Sequence, residues 1–129
     1  MIRTIFITGS LLGLLAIILG AFAAHGLKPL LSPDSMVSFE TGVKYQMYSA
    51  FFLLVLGLLP MLTEKAKKVC FLLTVAGVVF FSGSIYLLAT NGLSSFDFKI
   101  IAPVTPLGGS LLIAAWAVLI VNFFKLKKK

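Results

Sequence analysis

The stretch VCFLLTVAGVVFFSGSIYLLA, Val69 to Ala89, runs for 21 residues without a charge. A hydrocarbon core of about 30 Å is crossed by roughly 20 residues rising 1.5 Å each, so this run reads as a membrane-spanning helix. Three more segments read the same way. Ile5 to Ala24 is uncharged, Met47 to Leu62 is shorter but extends upstream through Tyr45, and Ile100 to Phe124 is uncharged and carries Pro103 and Pro106 near its start. Only helices and closed barrels satisfy backbone hydrogen bonds in lipid, and these runs lack the alternation of barrel strands. The expected fold is all-α, an integral membrane four-helix bundle making one domain over residues 1–129, with spans near 4–25, 36–62, 68–90 and 101–124.

Composition agrees. Of 129 residues, 60% are hydrophobic and 12% charged, and the mean hydropathy is +1.10. A soluble domain is about 25% charged, so disorder, a nucleic-acid-binding domain and an ordinary soluble enzyme are excluded. The single cysteine, Cys70, lies inside a span, which leaves no disulfide framework and no cysteine metal cluster. Arg3, the apolar run and Ala21-Phe22-Ala23 have the outline of a signal peptide, but the run is longer than a usual signal core, so it is read as a retained span. Lysine and arginine collect on the cytoplasmic side of membrane proteins. With four spans, Arg3, Lys65, Lys67, Lys68, Lys125, Lys127, Lys128 and Lys129 share one side, against Lys28, Lys44 and Lys99 on the other. Eight against three places both termini in the cytoplasm. The net charge of +7 is then topology, with some attraction to anionic lipid and no call for nucleic acid.

Local signals refine the picture. Gly9 and Gly13 form a GxxxG, continued at Ala16, Gly20 and Ala24, a stripe of small residues that lets a second helix approach closely. Gly83, Gly108 and Gly109 are expected to serve as packing notches in the later spans. Gly26, after His25, is placed to close span one as a left-handed residue. Ser32-Pro33-Asp34 combines a serine cap, a proline at the first helical position and an acid at the positive helix end, so helix two starts there. Run to Leu62 it exceeds the hydrocarbon, and it is expected to lie partly along the interface or to tilt or bend near Gly42. Thr63 to Lys68 makes a short basic turn joining antiparallel neighbours, and Asn91-Gly92 signals a turn in the polar loop Thr90 to Lys99. The two prolines and two glycines between Ala102 and Ser110 fit either a broken helix start that offers free amides to an anion or an ordinary proline-started helix.

Four of these stretches together carry a resemblance. Gly20-Ala21-Phe22-Ala23-Ala24-His25-Gly26-Leu27, Tyr45-Gln46-Met47-Tyr48, Phe81-Ser82-Gly83-Ser84-Ile85-Tyr86 and Thr105-Pro106-Leu107-Gly108-Gly109 resemble, in the same order from end to end, the DUF423 (UPF0382) family of small bacterial membrane proteins, to which the eukaryotic transmembrane protein 256 is similar. The resemblance implies a four-span protein of the bacterial inner membrane with no established biochemical role. One departure matters. Members often read Tyr-His-Ala after Tyr-Gln-Met, and here the middle position is Ser49, which weakens any mechanism that pairs a second histidine with His25.

In the four-span arrangement the polar residues of the spans gather at the extracytoplasmic end. His25, Glu40, Lys44, Tyr45, Gln46, Tyr48, Ser84, Tyr86 and Thr105 are the candidate ligand or partner site, a cup open to the outer leaflet. Each also has a plainer reading. His25 is the chain's only histidine and the natural functional suspect, yet at a helix end it caps carbonyls, and this second role is preferred. Glu40 and Lys44 have the favourable order for an i, i+4 ion pair at the interface. The tyrosines suit the headgroup region, and Ser82, Gly83 and Ser84 suit helix packing. No catalytic motif, paired carboxylates or metal-ligand spacing is present. The sequence therefore points to a non-enzymatic binding or accessory protein with no cofactor. Its expected partners are membrane lipid, a quinone-like molecule, or a membrane-protein helix, including another copy. The alternative is a small oligomeric transporter or channel.

Overall fold

The computed structural model describes residues 1–93 and 98–127. Residues 94–97 of the expected polar loop, and Lys128 and Lys129 of the lysine tail, lie outside the described residues. Every element among them is helical: α1 (Ile2–Phe22), α2 (Pro33–Leu58), α3 (Glu64–Val78), α4 (Ser84–Ala89) and α5 (Val104–Phe124). A π-helical turn, Ala23–Leu27, extends α1, and a second, Val79–Gly83, joins α3 and α4 into one rod. Short 3-10 turns at Asn91–Leu93 and Phe98–Ile101 flank the loop before α5.

The chain behaves as a membrane bundle. Ile2–Leu27, Glu64–Ala89 and Val104–Phe124 are long and apolar enough to cross a bilayer. Helix α2 runs antiparallel to α1 and to the α3–α4 rod and in the same direction as α5, but is less hydropathic, because Lys44, Tyr45, Gln46, Tyr48 and Ser49 occupy its middle. Most of the large residues exposed on the outside are leucine, isoleucine, valine and phenylalanine, with Tyr45, Tyr48 and Trp116 among them, as a lipid-facing surface requires.

Helix α2 starts as its cap predicts. Ser32 is the N-cap and its Oγ accepts from the Ser35 amide at 3.1 Å, with Pro33 at the first helical position. It ends at Leu58, short of the expected Leu62, because Pro60 keeps the residue before it, Leu59, extended. Thr63 caps α3 in the same way through the Ala66 amide. The expected left-handed closure at Gly26 is corrected. The described residues contain no glycine with positive φ, and the helix instead widens into the π turn. Gly26 is small for another reason: a Cβ there would sit 2.8 Å from the Phe22 ring. Helix α5 is regular from Val104, with Pro103 as its N-cap and Pro106 in its first turn. A proline there removes only an amide that has no intrahelical partner, so the proline-started reading holds and the broken start does not.

Packing is sequential. Helix α1 packs mainly on α2, α2 also on the α3–α4 rod, and α5 mainly on α3 and its π turn. The GxxxG stripe is spent inside the protomer. A Cβ at Gly9 would lie 3.1 Å from the Ala50 carbonyl oxygen, and Gly13 and Gly20 face Ala50 and Val43. Gly77 and Gly108 bring α3 and α5 into backbone contact, since a Cβ at Gly108 would lie 2.7 Å from the Phe80 carbonyl carbon and 2.8 Å from the Gly77 oxygen. Gly42, expected to mark a bend, is instead a packing glycine: a Cβ there would meet the Tyr86 ring at 2.7 Å. Gly83 corrects the expected set of notches, because a Cβ there would meet nothing within 4 Å. Two apolar clusters result. One joins Ile5, Leu53, Leu56, Cys70, Ala115 and Leu119 at the lysine-rich end, and the other joins Ala23, Leu27, Phe39 and Ala89 at the opposite end.

Candidate functional site

Two tight pairs, α1 with α2 and α3 with α5, leave α2 and α5 standing apart. Between them opens a groove of about 630 Å³. Its walls follow from helical periodicity. Tyr45, Tyr48, Ser49 and Phe52 lie at i, i+3, i+4 and i+7 on α2, and Gly109, Leu112, Ile113, Trp116 and Ile120 repeat the pattern on α5. Thr74 and Phe81 of the α3 rod form the floor. At 1.5 Å per residue the α5 wall from Gly109 to Ile120 is about 16 Å long, so the groove follows the helix axes for about three turns. Its lining is almost wholly apolar and one side faces lipid.

Aromatic contacts fix its two ends. Tyr45 stacks against Phe81 with ring centroids 4.9 Å apart and meets Tyr48 edge-on at 5.4 Å. Nearer the lysine-rich end, Phe52 and Trp116 bridge the gap between α2 and α5 at 4.9 Å. The Ser49 hydroxyl donates to the Tyr45 carbonyl oxygen at 2.8 Å. Thr74 is 1% exposed and its Oγ1 is the single buried side-chain polar atom among the described residues without a hydrogen-bond partner.

The nine residues expected to line one cup fall in different places. Tyr45 and Tyr48 line the groove. Gln46 points the other way, one step round α2, and is 5% exposed. Its side-chain amide donates to the Leu12 carbonyl oxygen of α1 at 2.9 Å, while its Oε1 accepts from the Tyr86 hydroxyl of α4 at 2.6 Å. Gln46 and Tyr86 thereby tie three helices together at mid-depth, supported by Ser82, whose hydroxyl donates to the Gly42 carbonyl oxygen at 2.7 Å. Ser84 and Thr105 are hydrogen-bonded to each other and clamp α4 to the start of α5. Glu40 lines a second, smaller cavity of about 330 Å³ with Ala24, Lys28, Leu31, Pro33 and Met36. His25 is exposed on the π turn, and among the described residues its ring has no hydrogen-bond partner, so it does not cap the carbonyls. Lys44 is exposed, and the expected Glu40–Lys44 ion pair does not form. One cup is therefore replaced by an apolar groove, a buried polar tie and a small rim cavity. Successive helical residues turn by 100°, so Tyr45 and Gln46 cannot share a face.

Sequence reasoning missed Ser49, Phe52, Thr74, Phe81 and Trp116 as lining residues. The spacing of Tyr45, Tyr48 and Phe52 was a legible signal of one face, whereas the floor depends on how far α5 stands from α2. Lys67 is also more than a topology marker. It is 3% exposed, and its Nζ donates at 3.4 Å to the carbonyl oxygen of Gly57 in the last turn of α2, where an unpaired carbonyl and the negative helix end favour a cation. No three His, Cys, Asp or Glu side chains converge on a metal-sized point among the described residues.

Comparison with known proteins gives a consistent answer. The model of the family described as "Protein of unknown function (DUF423)" matches residues 19–109. A UPF0382 membrane protein of Staphylococcus haemolyticus is 38% identical over 95% of this chain and 97% of its own length. The UPF0382 membrane protein YwdK of Bacillus subtilis is 35% identical over 95% and 98%, and the UPF0382 inner membrane protein YgdD of Escherichia coli 33% identical over 98% and 94%. No solved structure matches the chain. These names specify a membrane protein and no reaction. With its apolar helices and relatives that cover it almost end to end, the chain is a multi-pass protein of the bacterial cell membrane and belongs to the DUF423 (UPF0382) family.

Proposed function

We propose that this protein is a non-enzymatic accessory protein of the cytoplasmic membrane that holds the apolar chain of a membrane molecule in the groove between α2 and α5. The observation that carries the reading is the groove itself. It is a slot of about 630 Å³, within the roughly 300–1,000 Å³ of small-molecule sites, walled by aromatic and aliphatic side chains. Its length of about 16 Å suits an extended acyl or isoprenoid chain. The transporter alternative finds less support: the Gly9 and Gly13 stripe is already covered by α2, and Gln46 and Tyr86 close the bundle interior.

The test is retention. The protein is extracted with its surrounding membrane into polymer-bounded discs, then exchanged into mild detergent, and the retained apolar molecules are identified by mass spectrometry. One class should be enriched over bulk membrane lipid and should be lost from Ala117→Phe, which places a ring in the slot from an exposed position that lines it. Retention of bulk composition by both proteins would refute the proposal.

A further inference from the structure

The groove has a charged neighbour that its apolar walls do not explain. Lys44 lies one helical turn before Tyr48 on the same face of α2. Its place can be read from its neighbours. Val43 packs at Gly20 of α1, and the Gly42 carbonyl oxygen accepts from Ser82 of the α3–α4 rod. Gly20 is seven residues before Leu27, where the apolar rod of α1 and its π turn ends ahead of Lys28. Lys44 therefore leaves α2 beside the C-terminal half of α1, exposed and one helical turn from the groove-lining Tyr48. It has no carboxylate partner among the described residues. Glu40, one turn further out, instead lines the small cavity beside Lys28. A lysine on an apolar bundle surface with no carboxylate partner among the described residues lays its stem along that surface and presents its ammonium to an anion at the interface. The lysine stem is long enough to do so.

Resting on the chain-binding reading above, we infer that the groove is the chain site of an anionic phospholipid of the outer leaflet, whose phosphate meets the Lys44 ammonium while one acyl chain descends past Tyr48 toward Trp116. Charge and shape agree on one occupant. The exposed cation lies one turn from the exposed Tyr48, which with Tyr45 lines the start of the slot, and the apolar lining continues from there along the helix axes. A zwitterionic lipid fits the slot equally well but loses the net attraction of the headgroup to the lysine.

Trp116 is the chain's only tryptophan and lines the slot while 55% exposed, so its quenching reports the occupant together with the surrounding lipid, and the slot's share is what Ala117→Phe removes. The full-length protein is reconstituted in phosphatidylcholine vesicles, and increasing fractions of chain-brominated phosphatidylglycerol or chain-brominated phosphatidylcholine quench Trp116. Phosphatidylglycerol should compete for the site about fivefold better, the effect expected of one lysine near an anionic headgroup. Lys44→Gln should abolish that preference while leaving quenching by phosphatidylcholine unchanged, and Lys44→Arg should keep it. Equal competition by the two lipids on the wild-type protein, or a preference that survives Lys44→Gln, overturns the headgroup assignment. Ala117→Phe separates the two levels. If it lowers quenching by both lipids, the groove is a chain site whatever the headgroup result. If it leaves quenching unchanged, the chain-binding reading itself falls, and the headgroup assignment with it.

Discussion

Gly108→Ala examines the contact on which the groove depends. The added methyl would lie 2.7 Å from the Phe80 carbonyl carbon and 2.8 Å from the Gly77 oxygen, and closer still to the Phe81 amide nitrogen. Unstrained carbon contacts begin near 3.5 Å, and the Phe81 amide nitrogen is the nearest atom, so α5 must retreat from the rod by more than about 1 Å. Every atom in the way is backbone, and no rotamer change relieves it. Overpacking of this kind costs about 1–3 kcal/mol where side chains yield, and a rigid backbone places the loss at the upper end. Alanine regains up to about 1 kcal/mol of helix propensity, so a net loss of about 2 kcal/mol is expected. Gly83→Ala is the matched control. The chemistry is the same on the opposite side of the rod, but the methyl meets nothing within 4 Å, so stability should be unchanged or slightly higher. The assay is reversible unfolding in mixed micelles with increasing dodecyl sulfate, followed by Trp116 fluorescence and helical circular dichroism. If the two variants unfold within about 0.5 kcal/mol of each other, α3 and α5 are not in backbone contact and the account of the groove is wrong.

Thr74→Val keeps the shape of the floor and removes a buried hydroxyl that has no partner. An unsatisfied buried polar group costs about 1–3 kcal/mol, so the variant should be more stable by about 1 kcal/mol in the same unfolding assay, and a loss of stability would show that the hydroxyl is bonded. Gln46→Leu should cost about 1–2 kcal/mol, because it orphans the Tyr86 hydroxyl and unties α1 from α4. Tyr86→Phe added to it should cost almost nothing further, and a double-mutant cycle showing strict additivity would contradict the shared tie. Ser32→Ala removes the α2 cap and should lower stability by about 1 kcal/mol, visible as faster amide exchange over the first turn of α2; unaltered exchange would mean the cap is idle.

Much of the architecture could be read from single residues. The uncharged runs, the Ser32-Pro33 start of α2 and the small-residue face of α1 all express local rules, in which hydrocarbon thickness, capping or close approach constrains a residue regardless of the rest of the chain. The readings that failed needed partners. Gly26 fits the pattern of a helix terminator, yet a π turn carries the chain onward and the Phe22 ring occupies the space over it. Gly83 fits the pattern of a packing notch, yet its side of the rod faces open space while Gly77 and Gly108 carry the contact. The expected polar cup grouped residues by their end of the molecule and ignored helix rotation, which turns Tyr45 toward α5 and Gln46 toward α1.

Composition and run length alone determined that this chain lies in a membrane as helices, because 60% hydrophobic residues gathered into runs of about 20 cannot be buried in water and can satisfy their backbone only within each helix. Where the helices stand apart was decided only by the tertiary structure. A groove is a property of distances between elements, and here those distances are set by glycines that do not line it: Gly9 drawing α1 onto α2 and Gly77 with Gly108 drawing α5 onto α3. No residue that lines the slot specifies by itself that the slot exists.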